Sequence, residues 1–552
     1  MERIMSSADN QVLDVFVVGA GFAGLYMLHR ARKAGFSAQV VEAGPDVGGV
    51  WFWNGYPGAR CDVESMQYSY GFDDELQQEW SWSEKFATRD EIMRYVNYVA
   101  DRLDLRSGVK VNTRVTAAHY SDVDGLWDVA TSSGESYRCR YLIMATGALS
   151  STRIPPIPGL ETFKGEVLHT GNWPRDRQID FAGKRVAVIG TGSSGIQVIT
   201  AVAPEAERLT VFQRTANYSV PMRNRPMTPE YERQWKDRYP ELRHEARYNT
   251  TAGTIYELSD RSALEATPEE REAEFERRWQ IGSPNFLRAF KDISLDEEAN
   301  EFAAEFVRRK IRETVKDPET AAKLIPTSHP IGSKRICVDN HYFEVFNRDN
   351  VGLVSIKEEP IVEITQNGIR TSAAEYPLDA IVFATGYDAI TGPLNAIDIR
   401  GREGRLLKDE WRDGPSAYLG LMASGFPNMF IVTGPGSPSV LVNVINAIEQ
   451  HVEFIGDCLT WLRDNDLDTI EPDPEAQEKW ADHVDEVANA TLMVRGNSWY
   501  MGANIEGKPV RFMPYAGGIG PYAKKCQEIV QDGYKGFVVS HHSQAATANA
   551  AE

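Results

Sequence analysis

Val15-Phe16-Val17-Val18 runs straight into Gly19-Ala20-Gly21-Phe22-Ala23-Gly24, and the pattern returns at Val186-Ala187-Val188-Ile189 with Gly190-Thr191-Gly192-Ser193-Ser194-Gly195. Each copy reads as a buried strand, a glycine turn and the start of a helix. A second pair accompanies the first. Leu142-Ile143-Met144-Ala145-Thr146-Gly147 and Ile381-Val382-Phe383-Ala384-Thr385-Gly386 are apolar strands ending in the same turn. Internal pairing of this kind predicts two related dinucleotide-binding units. The second glycine loop falls between the two Ala-Thr-Gly strands. The simplest arrangement is therefore an α/β fold of two Rossmann-like domains, one inserted in the other.

The residues beyond each loop separate the two units. Glu42 stands 23 positions after Gly19, at the end of Gln39-Val40-Val41, where an acid accepts hydrogen bonds from a ribose diol. Gly48-Gly49-Val50-Trp51 follows and again lets backbone approach a cofactor; Gly49, Val50, Trp51 and Thr146 are counted with it. The same count from Gly190 lands on Gln213, followed by Arg214 and Thr215. A carboxylate there would repel a 2′-phosphate, whereas a guanidinium pairs with it. The first site is thus read for a free ribose, as in FAD or NAD, and the second for NADPH. Two such sites in one chain point to hydride transfer from NADPH to a flavin.

Composition narrows the classes. The chain has 552 residues, enough for about three to four folding units. Lys and Arg number 59 against 79 Asp and Glu, a net charge of −20 that disfavours nucleic acid as a partner. Five cysteines stand far apart with no C-x-x-C pair, which argues against a disulfide framework, a zinc ribbon or an internal dithiol acceptor. No metal site is expected, and His541-His542 have no ligating neighbours in sequence. The start, Met1 to Asn10, lacks the basic flank and apolar stretch of a signal peptide, and no segment reads as a membrane span. A cytoplasmic enzyme is the expectation.

The expected divisions are 1–150 and 387–540 for the FAD-binding domain, and 151–220 and 330–386 for the NADP-binding domain. Residues 221–329 form a helical insertion, because Thr267 to Trp279 and Glu298 to Lys316 read as helices with solvated, charged faces. The last stretch, 541–552, is small and polar and reads as a disordered tail.

Between the two nucleotide motifs stands Phe163-Lys164-Gly165-Glu166-Val167-Leu168-His169-Thr170-Gly171-Asn172-Trp173-Pro174. It matches F-x-G-x-x-x-H-x-x-x-W-P and resembles the fingerprint of type I Baeyer–Villiger monooxygenases, its marked residues being Phe163, Gly165, His169 and Trp173. Tyr56-Pro57-Gly58-Ala59-Arg60-Cys61-Asp62, Gly332-Ser333-Lys334-Arg335, Gly434 to Ser439 and Asn497-Ser498-Trp499-Tyr500 extend the likeness over about residues 12 to 540. It is strongest toward members that oxidise steroids and phenylacetone. The resemblance implies an FAD enzyme that uses NADPH and O2 to turn ketones into esters or lactones through a C4a-peroxyflavin. It places the catalytic arginine on Arg335 and its acidic partner on Asp62. It sets Lys334 near the NADP phosphate with Arg214 and Thr215. It puts Trp499 on a loop folding over NADP and gives His169 and Trp173 a part in coupling the domains.

Ser439, Val440 and Leu441 are the expected pocket wall, with room for cyclic, aromatic or steroid-like ketones. No protein redox partner is expected. Two other classes share the nucleotide motifs: a flavin monooxygenase oxygenating nitrogen or sulfur, and a reductase feeding electrons to a protein.

Overall fold

The computed structural model describes residues 12–541. The stretch read for a signal peptide and, apart from His541, the expected tail lie outside the described residues.

Val12–Val18 is fully buried from Val15 to Val17 and lies parallel between Ala38–Val41 and Ser136–Met144. An unbroken apolar run suits a strand covered on both faces. The sheet runs Asp398–Arg400, Val115–Ser121, Leu126–Thr131, Ser136–Met144, Val12–Val18, Ala38–Val41, Val109–Lys110, and Met429–Ile431 pairs with the end of Ser136–Met144. Ser136–Met144 therefore begins in an antiparallel meander and ends in a parallel core.

The second sheet is wholly parallel, in the order Val351–Ser355, Arg208–Gln213, Arg185–Ile189, Ala380–Phe383, Glu166–His169. Its strands come from between Ser136–Met144 and Asp398–Arg400, so the chain leaves the first sheet, builds the second and returns. This is an α/β fold with two parallel cores. In such sheets ligands collect outside the carboxyl ends of the strands.

Between the Ser219–Pro221 and Cys337–Asp339 strands the chain is mostly helical. Pro268–Ile281 starts at a capping box made by Thr267 and Glu270, and Glu297–Thr314 starts on Asp296, whose carboxylate accepts two backbone N–H groups. The two helices meet through Phe275 and Phe306, 5.6 Å between ring centres, and through the ion pairs Arg309–Glu272 and Lys310–Glu276. Arg278 departs from the expected solvated face and is only 1% exposed. It donates to Glu274, the Glu257 carbonyl and Asn285, so its charge goes inward with its donors satisfied. A further helix, Tyr239–Tyr248, ties the insertion to the first domain through Arg247, which bridges Glu449 and Glu453 on the long helix Val444–Asp464.

His451 on that long helix is completely buried. The Tyr522 hydroxyl donates to the Leu419 carbonyl and so accepts from His451 Nε2, leaving Nδ1 to accept the Thr433 N–H. Thr433 opens the loop that leads to Ser439. Burial lowers the His451 pKa from 6.5 to about 3, so the fold holds it neutral while the unfolded chain protonates it near 6.5. Its contribution to stability is complete above pH 6.5 and falls as pH drops toward 3, by about 1.4 kcal/mol per unit. His451→Gln is expected to flatten the fall in melting temperature between about pH 6.5 and 4, whatever it costs at neutral pH; an unchanged slope would contradict this origin.

Candidate active site

The two glycine loops are built alike. The Gly19 N–H donates to the Val41 carbonyl and the Gly190 N–H to the Phe212 carbonyl. Both glycines have positive φ, 105° and 111°. A Cβ on Gly19 would lie 2.6 Å from the Ala145 carbonyl oxygen, and one on Gly190 would lie 2.4 Å from that of Ala384. Each Ala-Thr-Gly strand thus ends against the first glycine of one loop. Gly24 and Gly195 pack on the carbonyls of Gly19 and Gly190, where a Cβ would come within 1.8 and 2.2 Å. Around Gly192 a Cβ would meet nothing within 4 Å, so the N-terminus of Ser193–Val202 is open to an incoming anion.

In the first site Glu42 is buried, and its two oxygens accept the N–H groups of Ala20 and Gly44, each at 2.8 Å. Each oxygen keeps a second acceptor position. Gly49 approaches Gly21 so closely that a Cβ on it would sit 2.9 Å from the Gly21 Cα, and it caps the short helix Val50–Trp53. The Trp51 ring N–H donates to the Tyr68 hydroxyl at 3.0 Å, and Thr146 is half-buried just past Ser136–Met144.

In the second site Gln213 turns its amide to the Lys323 carbonyl, while Thr191 Oγ1 donates to the Thr215 carbonyl. Arg214 is exposed. Burial first, then Arg214 and Lys357, lower the Lys334 pKa. Three cations therefore crowd together, and among the described residues no ion pair neutralises them. His329 beside them is brought down to about 4, by burial first and then by Lys334, Arg308 and Lys357, and adds no charge at neutral pH. These loops and this cation cluster fit FAD in the first domain and a phosphate-bearing coenzyme in the second. Lys357 was not read from the sequence. It follows Ile356, whose N–H donates to the Gln213 carbonyl, and only the sheet order brings it beside Arg214.

Arg335 and Asp62 meet. Arg335 Nη2 and Nε donate to Asp62 Oδ2 at 2.6 and 3.1 Å, and Nη1 donates to the Val440 carbonyl at 3.3 Å. Asp62 is the largest influence on the guanidinium and holds it charged. The loop bearing Asp62 is itself docked on the second domain. Tyr56 donates to the Gln197 side chain, the Gln197 amide donates to the Arg60 carbonyl, and Gly58 abuts the Gln197 carbonyl.

Tyr500 is buried beside this pair. Burial raises its pKa to about 12, and Arg335 works against that rise. Tyr256 also lies within electrostatic reach of Asp62 and Arg335. The sequence reading singled out neither tyrosine's role. The pocket wall differs from expectation: Ser439 is completely buried and donates to the Thr433 carbonyl, so it stands behind the wall, while Val440 and Leu441 are partly exposed.

Trp499 packs against Tyr500 with tilted rings, 4.4 Å between ring centres and 53° between planes. Its loop is moored to the crossover between the sheets. Asn504 donates to the Tyr387 carbonyl, Lys508 pairs with Asp388, and Arg153 donates to the Asn504 carbonyl. His169 closes the same crossover, its Nε2 facing the Arg153 carbonyl at 3.2 Å while Nδ1 accepts the Gly171 N–H. Trp173 is buried, and its N–H donates to the Trp53 carbonyl of the first domain. Phe163 is half-buried, and Gly165 lies against the Asp379 carbonyl. The fingerprint therefore sits on the seam between the two sheets rather than beside Arg335.

Lys357→Ala is expected to weaken NADPH about tenfold while leaving NADH nearly unchanged, read from KM for both coenzymes. Equal losses for both would remove Lys357 from the phosphate site.

Residues 16–277 match the family described as pyridine nucleotide-disulphide oxidoreductase. The five cysteines are all buried and unpaired, so the chain carries that nucleotide fold without a redox disulfide. A Baeyer-Villiger monooxygenase of Pseudooceanicola batsensis is 42% identical, over 95% of this chain and 96% of its own. Phenazine N-monooxygenase PhzNO1 of Lysobacter antibioticus is 41% identical, over 97% of this chain and 98% of its own. The solved structure of oxidized steroid monooxygenase bound to NADP superposes with a TM-score of 0.92 at 47% identity, covering 96% of this chain and all of that one. The chain belongs to the Baeyer–Villiger monooxygenase family.

Proposed function

We propose that Arg335, oriented by Asp62, is the catalytic cation of an NADPH-dependent ketone oxygenation. Ketone, O2, NADPH and a proton become an ester or lactone, NADP⁺ and water. The observation that carries the reading is the Arg335–Asp62 pair at 2.6 Å, set between the two nucleotide cradles.

FAD, when bound and reduced by NADPH, supplies the activation of O2. The chain's own groups do the rest. Attack on the ketone carbonyl turns its oxygen into an oxyanion, and a fixed guanidinium stabilises that charge without reorganising. Three of its N–H groups are spent on Asp62 and Val440, which fix its plane. Two donors remain for the reacting oxygens. Arg335 keeps its proton throughout and acts as a charge. Tyr500 and Tyr256, both within electrostatic reach of Arg335, keep neutral hydroxyls, because burial raises both pKa values. The moored loop carrying Trp499 shields the site from water, and in a dry site the charge of Arg335 counts for more. Glu42, the Gly19–Gly24 loop, Gly49, Val50, Trp51 and Thr146 hold FAD. Gly190 to Gly195, Arg214, Thr215, Lys334 and Lys357 hold NADPH. His169 and Trp173 position one domain against the other.

The substrate class is a small ketone, and neither a protein electron carrier nor nucleic acid is part of the cycle. Among the described residues no helix is long and apolar enough to cross a membrane. Five unpaired buried cysteines support a reducing, cytoplasmic setting. Oxygenation of a ring nitrogen is the second reading, favoured by the likeness to PhzNO1. Ketone and heteroarene products, analysed side by side, separate the two.

Arg335→Ala is expected to bind FAD and be reduced by NADPH while ester formation falls about 100- to 1,000-fold. Ordinary ester yield from that variant would overturn the assignment. Arg214→Ala is expected to weaken NADPH about 10- to 100-fold and NADH much less; equal losses would refute 2′-phosphate recognition.

A further inference from the structure

The two groups that fix the plane of Arg335 belong to separate segments. Asp62 opens a largely buried turn, and the Val440 carbonyl lies three residues before Asn443. Gln67 stands five residues after Asp62. The N–H groups of Gln67 and Tyr68 both donate to the Glu64 carbonyl, so the chain from Asp62 to Gln67 is a compact unit. Gln67 and Asn443 are 4% and 3% exposed, and they meet. Asn443 Nδ2 donates to the Gln67 carbonyl at 2.7 Å.

Both residues also reach further. Asn443 Oδ1 accepts the Ile445 N–H and caps the helix Val444–Asp464, while its backbone N–H donates to the Ala252 carbonyl of the insertion. Gln67 Oε1 accepts the Ile255 N–H at 2.6 Å, and Arg243 Nη1 donates to the Gln67 carbonyl at 3.3 Å. Packing is incomplete where these segments meet. A small cavity lies among them, lined in part by Gln67, Arg243, Gly253, Asn443 and Asn446. Side chains that do not interlock cannot set a spacing, so the hydrogen bonds set it. The Asn443–Gln67 bond ties the Asp62 turn to the segment carrying Val440 without passing through Arg335.

We infer that Asn443 is a positioning residue for Arg335: by holding Gln67, it keeps the Asp62 carboxylate and the Val440 carbonyl at the separation one guanidinium spans. The inference rests on the catalytic role proposed for Arg335 and adds a residue that acts through it. Without the tie the two acceptors shift apart, Arg335 keeps only one of them, and its remaining donors lose their aim at the reacting oxygen.

The test uses the FAD-loaded enzyme, Asn443→Ser, and whichever of cyclohexanone, phenylacetone and progesterone the parent turns over fastest. Serine still caps the helix, is too short to reach the Gln67 carbonyl, and leaves that carbonyl its bond from Arg243. The expected result is a fall of about tenfold in kcat for ester formation, the missing ester appearing as hydrogen peroxide. KM for ketone and NADPH and the rate of flavin reduction should stay within about twofold of the parent. In an Arg335→Lys background the same substitution should cost less than about twofold, because lysine offers no planar fork for Asn443 to aim. Crystal structures of parent and variant add a readout independent of turnover: Arg335 Nη1 should part from the Val440 carbonyl. Asn443→Asp, which keeps the cap and the length but loses the donor, serves the same purpose where Asn443→Ser does not fold. A lower melting temperature with ester per NADPH unchanged would overturn the inference and leave Asn443 a helix cap. So would a tenfold loss that persists in Arg335→Lys, or both Arg335 contacts intact in the variant structure. Failure of the underlying reading looks different: the parent itself gives hydrogen peroxide and no ester from any ketone, and the pair of structures still decides whether Asn443 positions Arg335.

Discussion

One ion pair joins parts of the chain that are distant in sequence. Arg335 lies just before the strand Cys337–Asp339, Asp62 lies in a loop of the first domain, and Val440 lies in the segment that returns to it. If the domains shift, the plane of the guanidinium shifts with them. In the proposed reading the pair serves two purposes, as a fixed positive charge for developing oxyanions and as a register between the two nucleotide cradles. The Gln197 contacts to Tyr56 and Arg60 secure the Asp62 loop from the second domain. The seam formed by His169, Arg153, Tyr387 and Asn504 secures the loop that carries Trp499. Position of the domains and composition of the site are thus set by the same contacts.

Much of this was legible in the sequence, for a physical reason. A dinucleotide cradle needs glycine where a side chain would strike a carbonyl, and Gly19, Gly24, Gly190 and Gly195 are such places. It also needs an unbroken apolar strand before the turn, and Val15 to Val18 and Val186 to Ile189 supply it. These are local requirements, written in consecutive residues. The pairing of Asp62 with Arg335 was not local. Spacing alone gave two loop residues 273 positions apart, and the family likeness was needed to bring them together.

What escaped the sequence depends on topology and on hydrogen-bond direction. Lys357 reaches Arg214 only because Val351–Ser355 lies beside Arg208–Gln213. Tyr256, within electrostatic reach of Asp62 and Arg335, comes from the insertion, whose charge-rich pattern reads as solvated surface. Arg278 shows why that pattern misleads, since an arginine goes inside when Glu274 and Asn285 take its donors. Ser439 fails as a pocket residue because its hydroxyl is turned back to Thr433. Periodicity says which face of a helix is apolar, but not which charged side chain will find a partner.

The central claim is oxygen transfer to a ketone at Arg335, and isotope labelling tests it most directly. Purified enzyme, NADPH and ¹⁸O₂ would be incubated with ketones from cyclohexanone through phenylacetone to progesterone, and the products weighed by mass spectrometry. The account predicts an ester or lactone carrying one labelled oxygen, formed in step with NADPH consumption. NADPH consumption with labelled hydrogen peroxide and no labelled ester from any ketone, alongside N-oxide from a heteroarene, would contradict it.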